Sequence, residues 1–174
     1  MDEIKVDGVT IINDHEFEFH NAHCFKIRVP QILQDLWKEG LPISKSFYNW
    51  RDFTPRNIGK IKSAMDKPFN DIRELAGEAD WNGDWGEMPA SSGDIADFIR
   101  KKADAAPRLI PIYGHRYMPA AAVENPPVFS ICGLDVIIYG SDLEAYFQAE
   151  FGGKSVEAMD LKRLPHIPFW SDLL

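Results

Sequence analysis

Two cysteines, Cys24 and Cys132, are all that a chain of 174 residues carries, too few for a disulfide framework. Each lies in an apolar, strand-like run, so two buried thiols are expected. The chain also lacks any uninterrupted apolar run of about 18 to 20 residues, the length a membrane-spanning helix requires. Its amino terminus, MDEIKVDG, has acids where a secretory leader needs basic residues and an apolar stretch, so a cytoplasmic protein is expected. Positive charge is scarce: 19 Lys and Arg stand against 27 Asp and Glu, a net charge of −8. That balance argues against direct nucleic-acid binding and against an anionic membrane surface, both of which need a basic face. A nucleophile elbow, a phosphate-cradling glycine loop and a kinase-type motif set are all missing, and no cofactor is expected.

What is present suffices for one core. A hydrophobic content of 45% with 26% charged residues places the chain among self-folding globular proteins, and its length suits one domain over residues 1–174. Within it, 1–29 reads as a strand-rich extension, 30–151 as the core and 152–174 as a tail packed on the body.

The first segment is strand-like in VTII, FEF and CFKIRV, and Phe17 and Phe19 alternate with Glu16, Glu18 and His20 as on a half-buried strand. After Pro30, the spacing of Ile32, Leu33, Leu36 and Trp37 predicts a helix stopping at Gly40. Thr54-Pro55 opens a second helix, with Ile58, Ile61 and Met65 on one face and Pro68 as its end. Residues 76–93 are rich in glycine and read as a long irregular connection. Ile95, Phe98, Ile99 and Ala103 mark a third helix, closed by Pro107.

Strands follow in RLIPIYG, PVFSIC and LDVIIYG, the last two joined as a tight hairpin through Gly133. Ser141-Asp142-Leu143-Glu144 reads as a capping box, followed by a helix with apolar face Leu143, Tyr146, Phe147 and Phe151 and a stop at Gly152-Gly153. Strands and helices are largely segregated, without regular βαβ alternation. An α+β fold with a central, mainly antiparallel sheet and helices beside it is therefore expected.

Charge is unevenly distributed. From Asp71 to Asp97 the chain has eight acids (Asp71, Glu74, Glu78, Asp80, Asp84, Glu87, Asp94 and Asp97) against Arg73 alone, a net −7 of the overall −8. Trp81 and Trp85 lie inside it. Acids around large aromatics, here Asp80, Trp81, Asp84, Trp85 and Glu87, suit docking of a basic protein partner; the alternative is a solvated loop whose tryptophans turn inward. His20, His23 and Cys24 are too few and wrongly spaced to complete a zinc site, and no metal is expected. Tyr113, His115, Arg116 and Tyr117, directly after a strand, either orient a ligand or serve the turn, and Asp135 beside the hairpin reads as a turn acid. A small hydrolase built on His115 or on the His20 group is the less favoured alternative, and no catalytic residue is assigned.

The segments LIPIYGHRYMP and NPPVFSICGLDVIIYGSDLEAYFQAEF resemble bacterial members of the SUKH superfamily, which takes its name from cell-wall glucan synthesis regulators of the Smi and Knr type. Residues 108–151 carry the likeness: a strand ending in an IPI-type turn, two further strands of an antiparallel sheet and a DLExYFxxEF helix. LPISKSFYNW is similar to the family's entry after its first helix. The resemblance implies an α+β fold and function without catalysis. Many such members are immunity proteins that neutralise toxins, often nucleases, by binding them, and an intracellular regulator or scaffold is the alternative it implies. An acidic inhibitor also fits a nuclease physically, because a nuclease must present a basic surface.

Overall fold

A computed structural model describes residues 4–6, 9–11, 25–39, 46–153 and 163–174. A two-stranded antiparallel hairpin, β1 (Ile4–Val6) and β2 (Val9–Ile11), precedes helix α1 (Gln31–Glu39). Helices α2 (Pro55–Leu75) and α3 (Ser92–Ala105) follow, separated by 3-10 turns at Ala76–Glu78 and Gly83–Trp85. The sheet is a meander, β3 (Leu109–Tyr113), β4 (Arg116–Pro119), β5 (Val128–Cys132) and β6 (Asp135–Gly140), antiparallel throughout in the order β3-β4-β5-β6. Helix α4 (Leu143–Glu150) and a 3-10 turn at Trp170–Leu173 complete it. The protein is thus α+β, with four α-helices and a four-stranded antiparallel sheet among the described residues.

The sheet is buried on both faces. On one, Ile110, Ile112, Met118 and Val128 pack with Phe25, Ile27, Val29, Leu33, Trp37, Trp50, Leu143 and Tyr146. On the other, Leu109, Tyr117, Phe129, Ile131, Val136 and Ile138 pack with residues of α3 and the C-terminal Ile167, Phe169 and Trp170. Helix α2 feeds both clusters, Ile61 and Met65 joining the first, Phe69 and Ile72 the second. Trp50 pins the segment before α2: it stacks on Trp37 at 4.9 Å, and its indole N–H donates to Pro111 O at 3.2 Å. Pro111 is tolerated in β3 because β3 is an edge strand, where a missing N–H breaks no second ladder.

Several local expectations need correction. Residues 25–30 form no strand, Phe25 being helical and Lys26 left-handed at φ 54°; Phe25, Ile27 and Val29 are buried while Lys26 and Arg28 are exposed, so the alternation marks a segment packed by one face. Helix α2 starts as expected, with Thr54 Oγ1 accepting from Asn57 N at 3.4 Å, but it runs through Pro68 to Leu75. Burial of Phe69 and Ile72 beyond the proline offsets the roughly 3 kcal/mol that a lost hydrogen bond and ring clash cost. The cap of α4 is Asp142, whose carboxylate accepts from Ala145 N at 2.8 Å, one residue later than the Ser141 capping box. Asp142 wins because a carboxylate is the stronger acceptor at a helix N-terminus.

Strand β4 was not expected: Gly114 and His115 form a hairpin turn and the chain pairs back at once, Tyr113 opposite Arg116. The IPI residues accordingly lie inside β3 and make no turn. Cys132 is exposed, not buried, because it ends β5 at the Gly133-Leu134 turn, opposite Asp135. Phe151 is 51% exposed, lying past the last turn of α4. The Gly133 hairpin forms as expected, with φ 63° at the glycine. The His15–His20 alternation, the Gly40 stop and residues 41–45 of LPISKSFYNW lie outside the described residues.

Candidate functional site

The acidic segment folds as the end of α2, two 3-10 turns and the start of α3. Structure sorts its acids. Asp71 is held by Lys67 at 2.6 Å and Asp97 by Arg100 at 3.0 Å, while Asp94 accepts from Ser91 Oγ at 2.7 Å in the N-terminal box of α3. Arg73 is engaged with Asp104, outside the segment, at 2.6 Å. Glu74, Glu78, Asp80, Asp84 and Glu87 make no ion pair among the described residues. All five are exposed. The charge left without an ion pair among the described residues therefore concentrates on 74–87, where solvent reaches it.

Trp81 and Trp85 stand at the centre of this surface, half-buried. Their rings meet edge-on at 5.4 Å, and both pack on Phe98 of α3, at 4.9 and 5.8 Å. Both indole N–H groups are satisfied within the chain, Trp81 by Gly86 O at 3.0 Å and Trp85 by the Asp172 carboxylate at 2.9 Å. Each ring thus divides itself between an inward contact and a solvent-facing remainder. A preorganised aromatic platform ringed by free carboxylates can receive basic and apolar side chains together, a pairing that concentrates binding energy.

The second group of residues serves a different end. Tyr117 is buried in the second cluster, where burial raises its phenol well above the ordinary value. Tyr113 is half-buried and tilts on Phe47 at 4.7 Å. His115 is exposed, and its Nε2 contacts the Arg116 guanidinium; desolvation and then the Arg116 charge lower its pKa, with Glu150 opposing. Arg116 is the hub: it donates to Ser130 Oγ at 3.0 Å, lies 4.0 Å over the Tyr139 ring and faces Glu150 at 3.3 Å. These contacts all run to the protein's own side chains, fastening α4 to the sheet. Asp135, exposed at the start of β6, flanks the hairpin turn.

Among the described residues no three His, Cys, Asp or Glu side chains converge as metal ligands; His20, His23 and Cys24 lie outside them. A crevice of about 10 Å³ between Leu36, Trp37, Phe47, Tyr48, Trp50, Ile112 and Phe147 has room for about one water. No described helix is long and apolar enough to cross a membrane.

Sequence reasoning missed Phe98, Asn82 and Asp172 as parts of the acidic surface, and Ser130, Tyr139 and Glu150 as partners of Arg116. Phe98 was legible as helix stripe, but nothing in the sequence signals that Asp172 returns to Trp85 across 87 positions.

Fold and surface together define an α+β protein whose most distinctive exposed feature is an acidic, tryptophan-centred face. The chain matches no protein-family model, no curated protein and no solved structure.

Proposed function

We propose that this chain is a non-catalytic, cytoplasmic protein-binding domain of the SUKH type, an immunity protein that docks a basic toxin domain, such as a nuclease, on its acidic face. The observation that carries the reading is the set of five exposed acids at 74–87, without an ion pair among the described residues, around the Trp81, Trp85 and Phe98 rings. Charge of one sign on a rigid aromatic platform steers a basic partner in and then holds it by apolar burial. The α+β architecture and the likeness of residues 108–151 agree with that assignment. The Arg116 hub supports it indirectly, since its donors serve the fold.

The test replaces Asp80, Asp84 and Glu87 by lysine together and compares this chain with the native one in capture from its native cytoplasm, at low and moderate salt. The native chain is expected to retain a basic toxin domain that moderate salt releases. The variant, equally folded, should associate at least about tenfold more slowly at low salt. Equal association of the two chains, or retention of no basic protein by either, overturns the proposal.

A further inference from the structure

The acidic face is held from the far end of the chain. Between Asp80 and Met88 the regular structure is the short 3-10 turn Gly83–Trp85, and two of the segment's side-chain hydrogen bonds are internal: Trp81 Nε1 donates to Gly86 O and Asp84 N to Asn82 Oδ1. The side-chain bonds that tie the loop to the rest of the described protein end on one residue. Asn82 Nδ2 donates to Asp172 O at 2.9 Å and Trp85 Nε1 to Asp172 Oδ2 at 2.9 Å. His166 Nε2 meets the other carboxylate oxygen, Oδ1, at 2.7 Å.

Asp172 can act as an anchor because its own turn is fixed. Ile167, Phe169 and Trp170 are fully or almost fully buried. Trp170 donates to Pro107 O at 2.9 Å and packs edge-on against Phe69 of α2 at 5.1 Å. Ile167 N donates to Ser171 Oγ at 2.9 Å, closing the turn on itself. A carboxylate on a rigid turn that accepts from an indole and contacts an imidazole uses both oxygens, fixing orientation as well as distance.

We infer that the C-terminal turn is a clasp for the acidic face and that Asp172 is its positioning residue, setting how Trp81, Trp85 and the surrounding acids are presented to a basic partner. The presentation to a partner rests on the proposed function; the clasp itself does not. Asp172 acts on Trp85 through its carboxylate and on Asn82 through its backbone carbonyl. The clasp couples the docking face to the C-terminal segment, so that whatever displaces the turn also reshapes the face.

The experiment is peptide-resolved hydrogen exchange on the full chain, native, Asp172→Asn and Asp172→Ala, with the sheet peptides of β3 to β6 as the internal control. Asp172→Ala removes the Trp85 bond but keeps the backbone carbonyl that accepts from Asn82; it is expected to speed exchange across 80–88 by about fivefold, the factor one ordinary hydrogen bond accounts for, and to leave the sheet unchanged. Asp172→Asn, which keeps an acceptor for Trp85, should give a smaller rise. If Asp172→Ala loosens the sheet as well, Asp172→Asn decides. Unchanged exchange at 80–88 in a folded variant overturns the clasp.

A second readout is the anisotropy of a labelled deca-arginine peptide. Asp172→Ala should bind it at least about threefold more weakly than the native chain. A loosened loop with unaltered peptide binding overturns the positioning role. Loss of the clasp with peptide binding also insensitive to the Asp80, Asp84 and Glu87 reversal places the failure in the docking reading instead.

Discussion

Removing Glu150 should cost this protein more than any exposed charge would. The Glu150 carboxylate stands 3.3 Å from Arg116 Nε, with side chains only 18% and 12% exposed. At an effective dielectric near 20 the gross attraction over that distance is about 5 kcal/mol, and desolvation offsets much of it. What the Glu150→Ala variant feels is the opposite term: a guanidinium left largely buried without its counter-charge, for which about 3–5 kcal/mol is usual. The lower end applies, about 3 kcal/mol, because Arg116 keeps Ser130 and the Tyr139 ring, and because Nε and Oε2 lack hydrogen-bond geometry.

Denaturant unfolding of Glu150→Ala, Arg116→Met and the double variant measures it. Each single variant should be destabilised by about 3 kcal/mol, and the double variant by clearly less than the sum, since it leaves no orphaned charge. A Glu150→Ala loss under about 0.5 kcal/mol with additive singles would refute the reasoning. It would mean that water reaches the pair and that Leu143 and Tyr146 alone hold α4 on the sheet.

Two further predictions concern the same framework. Gly140→Ala puts a Cβ 2.6 Å from the backbone nitrogen of Tyr146, which cannot move without shifting α4; a loss of about 2 kcal/mol or more is expected in denaturant titration, and an unchanged midpoint would show that α4 slides freely. Burial pushes the Asp172 carboxyl up, but hydrogen bonds from Trp85 and His166 outweigh it and hold the group below the ordinary 3.8. The stability this contributes is complete above that value and is lost as pH falls through the lower folded one. The stability gap between native protein and Asp172→Asn should therefore narrow below about pH 3.8; a gap that does not change with pH contradicts the carboxylate's role.

Local signals were legible where the physics is local. Thr54-Pro55, the stripe of α3 and the Gly133 hairpin each need only neighbours within a few residues, and the structure places all three as read. The acid excess around Trp81 and Trp85 was likewise visible as composition. Errors fell where distant contacts decide. Pro68 ends a helix in isolation, yet Phe69 and Ile72 gain enough burial to carry α2 past it. Phe25, Ile27 and Val29 show the alternation of a strand but are buried in the core without being in one. Cys132 looked buried by its apolar neighbours and is exposed because the hairpin turns at the next residue.

By itself, then, the sequence determined an acidic α+β chain with a tryptophan-bearing acidic stretch, since composition and short-range periodicity depend on residues close along the chain. Only the tertiary structure decided which acids make no ion pair among the described residues, that Phe98 backs the two tryptophans and that Asp172 holds Trp85 from 87 positions away. Such pairings arise when a closed core brings remote segments together, and their energies come from burial and geometry that no local pattern encodes.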